Sequence, residues 1–234
     1  CTLEGVEPEL MELFRRSLFV VRTHTDDNGA IIASSDSDML NGGRDTYSYM
    51  WPRDASISAY ALDSTGYSYI TRNFYLFCAN ALTPYGYFMH KYCADGSLGS
   101  SWHPWMQDGK EQLPIQIDET ALVLYNLGKH YECAQDLEFI ESIYNSFIEK
   151  AAMFLCKHIE IETGLPRDTY DLWEEKYGSS TYSAAATCGA LHITANIADM
   201  LGKGSDAKKY RETASSIRAA IIENLYDEEL GMFV

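Results

Sequence analysis

The chain has 234 residues, 46% of them hydrophobic, which is long and apolar enough for a sizeable buried core. Its 34 acidic residues outnumber its 18 basic ones, and the net charge is −16. Such a surface repels phosphate backbones and anionic membranes, so neither nucleic acid nor membrane is an expected partner, whereas a neutral substrate would feel little of the field.

Helical periodicity dominates. Between residues 9 and 21 the apolar positions Leu10, Leu13, Phe14, Leu18 and Val21 recur three or four apart, and Asp26-Asp27-Asn28-Gly29 then breaks the helix. Further helices are expected over 55–64, 70–90, 117–131, 137–158, 182–201 and 205–225. They are punctuated by Gly66, Asp95-Gly96, Asp108-Gly109, Gly164-Leu165-Pro166, and Gly202 with Gly204. No strand-like alternation runs beyond a few residues. The pattern is that of an all-α chain of antiparallel helical hairpins, with no linker dividing it. No apolar run reaches transmembrane length and no signal peptide is present. The chain starts at Cys1 and stops in mid-pattern at Val234, so it is expected to be a piece of a longer protein.

The 6 cysteines form no CxxC pair and show no zinc-like Cys/His spacing. Several sit in apolar helical runs. Buried free thiols are expected, and they hint at a reducing, cytoplasm-like compartment.

Three connections are long and aromatic: 41–54, 93–114 and 162–180. Long loops in a compact domain tend to carry function, and three that each hold a tryptophan suggest one shared face. The first contains YSYMWPRD at 47–54. Adjacent Arg53 and Asp54 can grip neighbouring sugar hydroxyls, one donating and one accepting, with Tyr47, Tyr49 and Trp51 alongside. A helix start with an internal salt bridge would use the same pair. The second loop brings Trp102 and Trp105, then Gln116, Asp118 and Glu119 at the next helix start, where acidic residues are ordinary dipole partners. The third contains YDLWEEKYG at 170–178. Neighbouring side chains in an irregular segment diverge, so only one of Glu174 and Glu175 can face a given bond. A carboxyl held against Trp173 in a poorly hydrated pocket would have its pKa raised and stay protonated, ready to protonate a leaving oxygen. A charged surface turn remains the competing interpretation of these residues.

Together with DGSLGSSW at 95–102 and PIQIDET at 114–120, these stretches resemble glycoside hydrolase family 15, which contains glucoamylases, glucodextranases and some prokaryotic trehalases. Their order and spacing are similar to those of the prokaryotic branch. The resemblance implies an (α/α)6 barrel, incomplete here, with about seven of twelve helices, so that residues 1–234 would be the N-terminal portion of the catalytic domain. It also implies an inverting reaction, in which one carboxyl protonates the departing oxygen while another, roughly 6.5–9.5 Å away, activates water. By resemblance, Glu174 matches the general acid and Glu175 a substrate-binding glutamate. Arg53 and Asp54 match the pair holding the terminal glucose. Tyr47, Trp51 and Trp173 match aromatics of that subsite, and Trp102 matches a tryptophan near the scissile bond. Asp171 would support the acid from behind. The family's base falls beyond residue 234, so the isolated chain is expected to lack normal turnover, with Asp118 the first suspect should it prove active.

The expected activity is exo-acting release of β-glucose from α-1,4-glucans. Trehalose and α-1,6-linked dextran are alternative substrates, and a non-catalytic carbohydrate-binding protein is the alternative from another class. No cofactor or metal is expected.

Overall fold

The computed structural model describes residues 5–35, 47–101, 103–107 and 109–234. Among them, helices run α1 (Pro8–Thr23), α2 (Pro52–Asp63), α3 (Ser68–Ala81), α4 (Ile117–Ala134), α5 (Leu137–Ile143), α6 (Glu149–Lys157), α7 (Thr181–Met200) and α8 (Gly204–Leu225). A single π-helical turn, Tyr144–Ile148, joins α5 to α6. Counting that joined pair as one rod gives seven helices, which agrees with the all-α expectation. Three two-stranded antiparallel ribbons decorate the loops: Met106–Gln107 with Lys110–Glu111, Thr169–Tyr170 with Tyr177–Gly178, and Tyr226–Asp227 with Met232–Phe233.

The helix expected over 70–90 is too long. It ends at Ala81, because Pro84 pushes Thr83 away from helical backbone. Gly86 then turns at φ +92°, so close to the Lys150 carbonyl that a Cβ would lie 2.2 Å from its oxygen. The remaining segment, 82–90, becomes loop and delivers His90 to the site. The described cysteines are free, as expected, but Cys78 alone among them is buried.

The helices pack in sequence: α2 on α4, α4 on α7, and α7 on α8. On α4, Gly128 makes room for Ile193 of α7, whose Cδ1 would lie 2.4 Å from a Cβ there. Phe74, Leu124, Leu127, Phe147 and Leu191 are buried to 1% exposure or less. By contrast α1 buries none of its side chains. No helix of the described residues is long and apolar enough to cross a membrane.

Three ties gather the loops at one end. Met50 and Tyr92 exchange backbone hydrogen bonds of 2.8 and 2.9 Å, the Phe88 N–H donates to Thr120 Oγ1 at 3.0 Å, and the Tyr170 N–H donates to the Ile115 carbonyl at 3.1 Å. All three long loops therefore meet around the start of α4.

Candidate active site

Arg53 occupies the first turn of α2, directly after Pro52, whose missing N–H costs nothing at a helix start. Its side chain is buried among carboxylates. Nη1 lies 2.9 Å from Asp118 Oδ2 and 3.4 Å from Glu119 Oε1, while Nη2 lies 3.2 Å from Asp54 Oδ2. Glu119 also accepts the Arg53 backbone N–H at 2.6 Å, and so caps α2 from a neighbouring helix. Burial works against the Arg53 charge, but Glu119, Asp118 and Asp54 outweigh it and the guanidinium pKa is raised. Burial pushes Asp118 and Glu119 up in turn, against the pull of Arg53. Asp118 is fully buried beneath Arg53.

Glu174 sits on the turn between the strands Thr169–Tyr170 and Tyr177–Gly178. Its φ of +63° is left-handed, a conformation that costs a non-glycine residue roughly 1–2 kcal/mol. Asp171 builds this turn. Its carbonyl accepts the Glu174 N–H at 3.0 Å and its Oδ1 accepts the Glu175 N–H at 2.9 Å. The turn aims Glu174 inward: the side chain is 17% exposed, with Oε1 2.7 Å from His90 Nε2. Glu175 is exposed, so the two neighbouring carboxylates diverge as the irregular backbone requires.

The structure overturns the expected cause and direction of the Glu174 shift. Trp173 is 75% exposed and gives the acid no shelter. Burial pushes the Glu174 carboxyl up, but the hydrogen bond and charge of His90, the charge of His103 and a hydrogen bond from Gln116 together pull it below the ordinary carboxylate value.

Three residues not assigned a role from the sequence complete the cluster. Gln116 is fully buried; its Oε1 accepts from Arg53 Nη1 and its Nε2 lies 3.1 Å from His103 Nε2. His103 stacks flat on Tyr170, with ring centroids 4.0 Å apart. Burial, with the charge of His90 and Lys91 against that of Glu174 and Asp171, lowers its pKa to about 4. His90 lies between Trp51, whose indole N–H points at Nε2 from 3.2 Å, and Glu174. Loop histidines flanked by aromatic residues, in HKY at 90–92 and WHPW at 102–105, were the available signal.

Of the remaining site residues, Trp51 is buried and Tyr47 stacks on it at 5.7 Å, while Tyr47 stays 61% exposed. Lys91 lies over the Tyr49 and Trp51 rings at 4.4 and 5.1 Å. Asp54 keeps 57% of its side chain exposed and borders a 400 Å³ cavity with His24 and Ile31. A further cavity of 360 Å³, between α1 and the start of α3, lies away from the cluster. Trp102 lies outside the described residues.

One donor atom from each of His90, His103 and Glu174 lies within 4.8 Å of the others, a spacing at which such atoms can hold a cation. Here their lone pairs face N–H groups of Trp51 and Gln116, and Lys91 and Arg53 put positive charge alongside.

A buried guanidinium bound to carboxylates, an amide and a half-buried carboxyl on a left-handed turn meet at the loop end of this helical segment. The chain belongs to glycosyl hydrolases family 15, whose family model matches residues 20–234. An uncharacterized glycosyl hydrolase of Methanocaldococcus jannaschii is 27% identical over 97% of this chain, which spans 34% of that protein. A bacterial glucoamylase complexed with acarbose superposes with a TM-score of 0.71 and 23% identity, over 92% of this chain and 29% of its own. The glucoamylase of Saccharomycopsis fibuligera gives 0.73 and 17%, over 97% and 52%. A rhamnosidase from Klebsiella oxytoca, at 12% identity, still gives 0.70 over 99% and 41%. These likenesses show the (α/α)6 glucoamylase fold, of which this chain forms part, and the rhamnosidase shows that the fold alone does not choose the sugar.

Proposed function

We propose that residues 1–234 form the front part of the catalytic domain of an inverting, exo-acting α-glucosidase, with Glu174 as general acid and the base supplied by sequence beyond residue 234. The observation that carries this reading is the connection from Glu174 through Gln116 to Arg53. It ties an inward-facing carboxyl to a guanidinium whose neighbour, Asp54, is open to solvent. Asp54 can accept from a hydroxyl of a terminal glucose. Arg53 Nη2 lies 3.2 Å from Asp54 Oδ2, so the pair can hold the hydroxyls of that glucose together. Tyr47, stacked on Trp51, offers an exposed ring to a pyranose face.

The lowered Glu174 pKa suits a donor that works in acid: activity falls as pH rises through that pKa, because the proton is then gone. In the polypeptide completed by its remaining barrel helices, Glu174→Gln is expected to lower glucose release from maltooligosaccharides by about 10²–10⁴-fold while leaving sugar affinity intact. Proton NMR of the freshly released sugar should show the β-anomer. Trehalose and α-1,6-dextran, run in the same assay, separate the family's other specificities. Unchanged release after Glu174→Gln would end this reading.

A further inference from the structure

A cavity of 600 Å³ lies beyond Tyr170 from the acid cluster, half again the volume of the one beside Asp54 and within the roughly 300–1,000 Å³ range of ligand sites. Its walls come from residues 111–113, from the segment that follows α6, and from Tyr177 and Ser179. Tyr170 is the partition. Its ring stacks on His103 at 4.0 Å and meets the Tyr177 ring edge-on at 5.1 Å, and its hydroxyl accepts from Gln112 Nε2 at 2.7 Å. None of Arg53, His90, His103, Gln116 and Glu174 lines the cavity. The lining mixes three kinds of group. Glu111, Glu160 and Asp168 accept, Arg167 donates, and Leu113 and the Tyr177 ring are apolar. The Arg167 Nε–H donates to the Ile159 carbonyl at 3.3 Å, which holds the guanidinium near His158. Burial and the Arg167 charge lower the His158 pKa to about 4, so the imidazole adds no positive charge at ordinary pH. The excess of carboxylates disfavours an anion, and a compact cation would leave the apolar wall unused. A molecule with hydroxyls on its rim and C–H groups on its faces uses all three kinds of group.

A row of rings leads from this cavity to the surface. His158 stacks on Phe154 at 4.9 Å, Phe154 meets Tyr87 at 5.1 Å, and Tyr87 lies 6.3 Å from Tyr85 with the two rings only 11° apart. Tyr85 is 77% exposed. The left-handed turn at Gly86, pressed against the Lys150 carbonyl, fixes both tyrosines over α6. We propose that the cavity and the tyrosine row form a second carbohydrate-binding surface, separate from the acid site, for a neutral oligosaccharide. Its hydroxyls meet Arg167 and Asp168, and successive pyranose faces lie on Tyr177, Tyr87 and Tyr85. This surface goes beyond the hydrolase reading, because it requires neither turnover nor a particular linkage.

The test is NMR of the whole chain with carbon-13 in its tyrosine rings, titrated with maltoheptaose and, separately, with isomaltoheptaose. With at least one of the two sugars, the Tyr85 and Tyr177 signals should shift together, with one affinity. Arg167→Ala should weaken that affinity about tenfold and leave the response of Tyr47, at the acid site, unchanged. Tyr85→Ala alters an exposed side chain that the fold does not need, and should weaken a heptasaccharide more than maltotriose. Asp54→Asn should do the reverse of Arg167→Ala: it weakens the Tyr47 response and spares Tyr177. A Tyr177 signal unmoved by either sugar, or moved with the same affinity in both Arg167→Ala and Tyr85→Ala, would overturn the proposal. So would a Tyr177 response lost in Asp54→Asn, since the sugar would then occupy the acid site alone. A shift at Tyr177 with none at Tyr47 would count against the terminal-glucose reading and leave the second surface standing.

Discussion

Replacing Arg53 by methionine tests whether the guanidinium is the electrostatic keystone of the loop cluster. Methionine fills similar volume but leaves Asp118 and Glu119, both buried, without the cation 2.9 and 3.4 Å away. Stranding a buried charge in this way costs about 3–5 kcal/mol, a large part of the roughly 5–15 kcal/mol that holds a domain folded. The sign of the pH dependence follows from the direction of the shifts. Both carboxyls already have raised folded-state pKa values through burial, and losing Arg53 raises them further. The unfolded chain then ionises first, so stability is lost as pH rises above about 4, the ordinary carboxylate value. The difference between variant and wild type should be largest near neutrality and shrink toward pH 4. His103 and His158, both lowered to about 4, destabilise the fold as pH falls from the ordinary histidine value toward 4. They do so in both proteins and cancel in the comparison. Urea unfolding followed by circular dichroism near pH 7 and near pH 4 measures it. Equal losses at the two pH values, or a loss below about 1 kcal/mol at neutrality, would refute the argument.

Three further outcomes are expected. Gly86→Ala combines a left-handed backbone with a Cβ 2.2 Å from the Lys150 carbonyl oxygen, and should lower stability by more than the ~1 kcal/mol of backbone strain alone; urea midpoints check this, and a change under 0.5 kcal/mol contradicts it. Asp136→Ala removes the side chain that accepts the Phe139 N–H at 2.9 Å at the start of α5, and should cost about 1 kcal/mol by the same measurement. His103 should remain neutral until about pH 4, so its ring carbons should show no titration in NMR spectra between pH 5 and 8; a midpoint near the ordinary value would show that the Tyr170 stack does not bury it.

The parts of the site legible in the sequence were those set by local pattern. The helix expected over 55–64 is found at Pro52–Asp63, starting three residues earlier because Pro52 fits the first helical turn. The diverging Glu174 and Glu175 followed from irregular backbone. What sequence could not supply was the partner of each group. A tryptophan beside a glutamate suggested shelter, but the left-handed φ at Glu174 turns the carboxyl inward and leaves Trp173 outside. Likewise Asp118 and Glu119 had the look of ordinary helix-start acids, yet they come from 65 residues away to surround Arg53.

These two surprises have one cause. Hydrogen-bond partners at this site are drawn from four segments: the start of α2, the turn at His90, the start of α4 and the Glu174 turn. Each segment contributes a short polar word whose meaning depends on what the others place opposite it. Gln116 shows this most clearly. At a helix start its amide is unremarked in sequence, but between Arg53 and His103 it can face only one way. That orientation passes the fixed polarity of a guanidinium across to the imidazole beside the acid. The chemistry at Glu174 is therefore set less by the tryptophan next to it in sequence than by which neighbours can only donate: Arg53 on one side and the Trp51 indole on the other.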